Sequence, residues 1–592
     1  MKVLRSILLL FFLPLTLVAQ EEKVCFQEIY YTIDADKLTA EVATNAKASG
    51  ALFLPKEITV NEVTYRVTSI SNNAFKGCKN LTAIVLPHSI DRIYRSAFEG
   101  TGIMLNKENW RDGALYMDSC LIATDKTIDP KYAIVEGTRL IAAGAFRDNK
   151  VVTRVEIPTS ITRIDHETFL GCKNLQRVNI PSSVQSIGED AFKGSGIYLN
   201  EKKWKKGALY IDSCLIAVND NAPATFSFQN KIPTRLIAER AFANSKTIKQ
   251  VGIPKTITSI PNAAFYRCEN LESITLPATI RTIGNFAFYG CSKLRAIAFP
   301  STLEHIGMGS FYGCKSLREL NLPESITSIP QAAFYSCGRV KTLHLPSRLQ
   351  RISNGAFCGC AELTEITFPE TVKDLGEMSF AGCITLTEVT LPEHISTINK
   401  SLFMGCTHLR KVVLPEGIYA IGDEAFKGCI ALINIVLPES TYRIGKSAFQ
   451  DCMQLSRLRL PDHVQMIERA AFQGCQFLEE IVLPPLLETV SEGAFAHCIN
   501  MHSLEINDRL KTIEKQAFLH CPQLREIVLK DSITIIGEEA FAECRNLKKV
   551  RYPAALKEIK SAAFRDCESL LPPSLPVAPI VARNAYKGCK KQ

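Results

Sequence analysis

A phenylalanine returns every 23 residues, without a slip, from Phe242 through Phe265, Phe288, Phe311 and Phe334 to Phe564. The same interval separates Phe75 from Phe98 and joins Phe146, Phe169 and Phe192, while Tyr586 closes the series one residue early. Nothing else in the chain restricts its fold so severely. One such coil has too little interior to stand alone, so its apolar faces are buried only by its neighbours. A fixed period of about 20–29 residues, with leucine or isoleucine at set offsets, marks a solenoid of stacked coils.

One unit shows the mechanics. In residues 271–277, LESITLP, apolar Leu271, Ile274 and Leu276 flank polar Ser273 and Thr275. That alternation suits a short strand with one buried face. Pro277 ends the strand because it has no N–H for the next ladder bond. Ile280 and Ile283 return to the interior, Gly284 permits a turn, Phe288 fills the widest part, and Cys291 lies at the corner before the next strand. The expected fold class is a β-rich solenoid: 23-residue coils with parallel β-strands, short turns, little helix and an N-terminal β-hairpin cap.

The pattern LxxIxLPxxIxxIGxxAFxGCxx resembles the BspA-type leucine-rich repeat family of bacterial surface proteins, over essentially all of Val67 to Cys589. The preceding stretches IYYTIDADKLTAEVA and GALFLPKEITVNEVTYRVTSI are similar to that family's N-terminal cap, and they alternate as hairpin strands do. The resemblance implies a leucine-rich repeat array acting as a cell-surface or secreted adhesin that binds host or other extracellular proteins. A glycan-binding or structural envelope protein is the alternative.

The ends fit export. Lys2 and Arg5 precede an apolar run over residues 7–18 and a small residue, Ala19, which together read as a signal peptide over 1–19. The expected organisation is then a β-cap over 20–66 and a solenoid over 67–592. The destination is the cell surface, the medium or the periplasm. No membrane span is expected after the leader is removed, and VARNAYKGCKKQ at the C-terminus offers no apolar anchor. The net charge of +9 is spread without a basic block, which argues against nucleic acid.

Two intervals break the period. Phe98 to Phe146 and Phe192 to Phe242 hold near-copies, NWRDGALYMDSCLIATD from Asn109 and KWKKGALYIDSCLIAVN from Lys203. They read as hairpin inserts near 103–127 and 197–223. Trp110 and Trp204, the two tryptophans of the chain, take equivalent places in them and are candidates for ligand contact.

Of 21 cysteines, all but Cys25, Cys120, Cys214 and Cys358 keep the repeat offset, where other coils carry Asn149, Ser195 or Ser245. That interchange suits a small half-polar corner residue, hence a mostly reduced, buried ladder; disulfides between adjacent coils are the other reading. Cys358, one residue after Phe357 where preceding coils carry tyrosine, is expected to be the most accessible thiol.

No reaction chemistry stands out. His497-Cys498 and His520-Cys521 follow the repeat rather than a ligand loop, and inward cysteines with outward histidines cannot share one zinc ion. Glu479-Glu480 and Glu538-Glu539 read as solvated, and no phosphate loop, HExxH or GxSxG is present. Neither enzyme activity, metal nor cofactor is expected. Binding candidates are the outward strand positions, among them Lys411, Val413, Arg457, Arg459, Glu480, Val482, Glu526, Lys549 and Arg551. Their mixed charge and scattered valines suit a protein partner. Tyr266, Tyr289, Tyr312 and Tyr335, each following a repeat phenylalanine, form a candidate aromatic ridge for a partner or a glycan.

Overall fold

The isoleucine or valine at the middle of each LxxIxLP stretch points inward while its neighbours face water, and that alternation sets the strand. Glu388–Thr390, Lys411–Val413 and Glu480–Val482 each read exposed–buried–exposed. Pairing is parallel and offset by one period: Glu388 faces Lys411, Val389 faces Val412 and Thr390 faces Val413. Like residues of successive coils are therefore stacked. A second strand of two residues forms around the following isoleucine, as in Thr397–Ile398 paired with Ala420–Ile421.

The computed structural model describes residues 23–35, 37–229, 233–571 and 579–590. The expected leader, residues 1–19, lies outside them. Two compact units divide the chain, Met1–Cys268 and Glu269–Gln592.

The first unit opens with antiparallel strands Lys23–Phe26 and Ile29–Asp34, followed by Thr39–Val42. Val63–Ile70 pairs in parallel with Thr39–Val42 and antiparallel with Glu57–Val60. It then hands the sheet on to Arg92–Ile93, so one strand runs through residues 66 and 67, where the sequence places the change from cap to coils.

Both interruptions lie in this unit. Each begins with a one-turn helix, Gly102–Leu105 or Gly196–Leu199, whose N-cap hydroxyl, Thr101 or Ser195, accepts from the backbone N–H of Met104 or Tyr198. A hairpin follows, Ala114–Met117 with Cys120–Thr124 in the first and Ala208–Ile211 with Cys214–Val218 in the second. Its second strand pairs in parallel with the next coil, so the hairpin stands where a coil strand would.

In the second unit the repeat phenylalanines form a continuous column, successive rings 5.1–6.0 Å apart and within 19° of parallel from Phe288 to Phe564. Fully burying each ring contributes about 1.5–3 kcal/mol.

The cysteines recur with the phenylalanines because one caps the other. The Phe288 carbonyl accepts the backbone N–H of Cys291 at 3.1 Å and, from the next coil, the thiol of Cys314 at 3.2 Å. Cys337, Cys429 and Cys544 do the same for Phe311, Phe403 and Phe518. Both lone pairs of a buried carbonyl are thereby used. Where the offset holds Thr101 or Ser195, the hydroxyl donates to Phe98 or Phe192 of its own coil. Asn149 and Ser245 at the same offset bond elsewhere, Asn149 to the Asp125 carbonyl and Ser245 to the Thr247 hydroxyl, so the corner takes any small polar side chain and cysteine, serine, threonine and asparagine interchange there.

None of the cysteines forms a disulfide. Burial pushes Cys337 and Cys406 up to about 12, so they stay protonated and unreactive at neutral pH. Cys358 corrects the expectation from its sequence position: it is fully buried, and burial raises it to about 12. Its side chain lies against the Tyr335 hydroxyl of the preceding coil, at a position where the larger tyrosines are themselves half-buried. The exposed thiol is Cys25, and Cys589 is half-exposed. Iodoacetamide applied to the native chain should therefore label Cys25 and Cys589, with the ladder and Cys358 labelled only after unfolding; mass mapping checks this. Rapid native labelling of Cys358 would contradict it.

Two coils carry an aromatic ring ahead of proline beside a weakened strand ladder. The leucine ahead of proline is replaced by Phe299 and Phe368, whose rings stand edge-on to Phe311 and Phe380 at 5.6 and 5.5 Å. Ala296 keeps only an isolated bridge to Ser273, and residues 365–367 form no strand.

Candidate binding surfaces

The outward strand positions of the second unit are in solvent, as the alternation requires. Val413, Val482 and Val528 are exposed apolar side chains beside charged Lys411, Glu480 and Glu526. Lys549 and Glu526 form an ion pair at 3.0 Å, which occupies two candidate residues with each other, next to exposed Arg551. Such surface pairs contribute about 0–1 kcal/mol and are easily exchanged for a partner's charge.

Around Arg457 the face is not flat. Glu388–Thr390, Lys411–Val413 and Asn434–Ile435 form one sheet, Arg457 reaches Asn434 only by an isolated bridge, and Glu480–Val482 begins a separate sheet with Ser503–Glu505. A hollow of about 620 Å³ opens there, lined by residues of three consecutive coils that include Val436, Leu458, Arg457, Arg459 and Glu480. Arg459 pairs with Glu439 at 3.2 Å.

The tyrosine column is real in the second unit but presents a particular surface. Tyr289 and Tyr312 stack at 4.8 Å and 14°, Tyr312 and Tyr335 at 4.7 Å and 2°. Their inner ring faces are occupied by one another, all three are half-buried, and the Tyr335 hydroxyl lies against the buried Cys358 thiol. A sugar platform needs an open ring face; the faces between these rings are closed. Tyr266, in the first unit, has the Arg240 and Arg267 guanidiniums over its ring at 4.8 and 5.7 Å.

The tryptophans are tied down. Trp110 donates its indole N–H to the Met104 carbonyl at 3.0 Å, and Trp204 donates to Tyr198 at 2.8 Å. Both are half-buried, and Lys107 or Tyr198 packs against the ring. These contacts fasten each hairpin to its own short helix.

Sequence reasoning missed the groups that seat the inserts. Asp118 accepts from the Leu86 N–H at 3.0 Å and Asp212 from Ile180 at 2.8 Å. The Arg235 guanidinium donates to the carbonyls of Val184 and Pro181 at 2.6 and 2.8 Å, and Arg139 donates to Ile90 and Pro87. These side chains satisfy backbone groups of the preceding coil that a regular coil would otherwise bond. The signal was present as TRLIA, repeated at 138–142 and 234–238.

Cys498 and Cys521 are used on the Phe472 and Phe495 carbonyls, while the His497 and His520 rings lie 5.4 Å apart and His520 contacts Glu543 at 3.0 Å. The thiols and imidazoles thus serve different partners. Among the described residues no group of three His, Cys, Asp or Glu is arranged to hold a metal.

A family model described as BspA type leucine rich repeat region matches residues 51–112, 139–232, 235–354, 327–456 and 442–571. A leucine-rich repeat protein of Bacteroides ovatus is 24% identical over 78% of this chain and 95% of its own, with a TM-score of 0.34. A leucine rich cell surface protein of Faecalibacterium prausnitzii is 19% identical over 82% of this chain and 94% of its own, with a TM-score of 0.28. A leucine-rich repeat protein of Eubacterium ventriosum is 20% identical over 62% and 94%, with a TM-score of 0.36. No curated protein sequence matches.

Proposed function

The chain belongs to the BspA-type leucine-rich repeat family, and on that premise we propose that it is an exported, non-enzymatic recognition protein whose strand face binds host or other extracellular proteins. A leucine-rich repeat solenoid is a binding scaffold by design: its rigid stack repeats one outward surface, and ligand choice lies in the residues placed on it. The observation that carries the reading is the exposed strand face, where open valines alternate with charges of both signs. An apolar patch within a polar, charged surround is the composition that protein partners meet. Export rests on the leader pattern of residues 1–19. No helix among the described residues is long and apolar enough to cross a membrane.

A glycan-binding or envelope-structural role is the second reading, and the half-buried tyrosine edges and tethered tryptophans favour it less than the strand face favours protein. The test is binding of residues 20–592 to arrays of extracellular matrix proteins and of glycans side by side, with a variant carrying alanine at Arg457, Arg459, Lys549 and Arg551. Matrix binding that the variant loses is the expected result. Glycan binding that survives the substitutions would move the site to the tyrosines or the inserts and overturn the reading.

A further inference from the structure

We infer that the hollow around Arg457 is the anchor point of the strand face, and that it takes a partner's polypeptide segment in which a bulky apolar side chain is closely followed by a single carboxylate. The inference rests on the strand-face reading and names what that face recognises.

The apolar half of the ligand follows from the floor. At the inward strand position Val412, Ile435 and Ile481 are buried, but Leu458 of the intervening coil is half-exposed. The coil keeps no strand pairing to Glu480–Val482, and its Leu458 borders the hollow. Leu504 and Val550 are half-exposed at the same position in paired strands, so what sets Leu458 apart is the space beside it. Val436, on the coil before, is 80% exposed at the same place and lines it too. A space of about 620 Å³ lies within the range of about 300–1,000 Å³ that ligand pockets occupy, with room for a leucine-sized side chain and its neighbours. Side chains that fill such pockets dominate interface energies.

The carboxylate follows from the charges. Two guanidiniums line the hollow, and Glu439 neutralises Arg459. Arg457 has no ion-pair partner among the described residues, which leaves it as the cation available to a ligand. Glu479 and Glu480, from the coil beyond, line the hollow as well and oppose any acid, so a carboxylate is held only where it meets the Arg457 guanidinium directly. The site is thus suited to one carboxylate beside an apolar group, held on the Arg457 side, and unsuited to an acidic run. Guanidinium–carboxylate pairing fixes orientation as well as charge.

The experiment uses three fluorescein-labelled Gly/Ser peptides that differ only in a central Leu-Gly-Asp, Leu-Gly-Lys or Ala-Gly-Asp, titrated against the intact chain by anisotropy. The Leu-Gly-Asp peptide should bind at least about tenfold more tightly than either of the others. Arg457→Glu, an exposed change whose folding is checked by its thermal melt, should abolish that preference and reverse it toward Leu-Gly-Lys. Val436→Asp should weaken the Leu-Gly-Asp peptide without inverting the charge preference. Equal binding of the Asp and Lys peptides, no measurable binding, or a preference unchanged in Arg457→Glu would overturn the inference. So would a captured matrix protein that ignores Arg457→Glu but is released by alanine at Lys549 and Arg551; that result would retain the strand face as the binding surface while rejecting its anchor.

Discussion

Replacing Phe449 by alanine is expected to lower stability by about 3–5 kcal/mol, the range for large aromatic truncations in a core that cannot collapse. Collapse is blocked here by the repeat itself. Phe449 is fully buried between Phe426 and Phe472, each 5.3 Å from it and nearly parallel. The spacing of those rings is set by backbone bonds, Phe426 N–H to Ala448 and Phe449 N–H to Ala471, at 2.8 and 2.7 Å. Removing the middle ring leaves a void that the neighbours cannot enter without breaking those bonds. Because each coil touches only its neighbours, the loss should be local, with hydrogen exchange accelerating around Phe426 and Phe472 first. Urea unfolding followed by circular dichroism measures the size of the effect. Tyr419→Ala, at a side chain exposed beside Tyr442, serves as control and should stay within about 0.5 kcal/mol of the parent. A Phe449→Ala loss below about 1 kcal/mol would mean that the column is not what holds the coils together.

The fold was legible because its determinants are local and repeated. The LxxIxLP stretch specifies a strand and its end within one coil, and Phe288 and Cys291 mark the interior and the corner in the same coil. What escaped depends on relations between coils. The void by Arg457 arises where a strand ladder fails, and the segment around Leu458 reads like any of its neighbours. Tyr289, Tyr312 and Tyr335 were visible as a column, but no sequence pattern tells that their faces would close on one another. Cys358 sits where tyrosine preceded it and was expected at the surface; that position is itself half-buried in the tyrosine coils, so a small thiol there is covered, beside the Tyr335 hydroxyl. Arg139 and Arg235 were missed for another reason. A charged residue ahead of an apolar pair reads as solvated, and only the absence of a regular coil before it gives the guanidinium carbonyls to bind.

Gly207→Ala is expected to cost about 2–5 kcal/mol, combining about 1–2 for a left-handed non-glycine residue with about 1–3 for overpacking. Trp204–Lys205 and Ala208–Ile211 pair through a two-residue turn, Lys206-Gly207, whose φ values of 47° and 75° are both positive. Such a type I′ turn matches the twist of a hairpin, and glycine suits its second position. The fault would be steric as well as conformational. A Cβ on Gly207 would sit 2.6 Å from the Cα of Ala222 and collide with that residue's backbone nitrogen, so the loop over Ala222 or the hairpin must move. If the hairpin moves, the bond from the Trp204 indole to the Tyr198 carbonyl goes with it, and the half-buried ring meets water. In a Trp110→Phe background the remaining tryptophan is Trp204, so its emission should shift to the red together with a lower melting temperature. Gly113 repeats the arrangement in the first insert, with φ at 75° and a Cβ that would lie 2.5 Å from the Ile128 Cα, and the same change there should act alike. Gly252→Ala is the contrast. That outward strand position has nothing within 4 Å, and the substitution should be neutral or stabilising by about 0.5–1 kcal/mol. Gly207→Ala melting like the parent would mean that the inserts tolerate displacement, and that Trp204 packs on Tyr198 without anchoring the hairpin to its short helix.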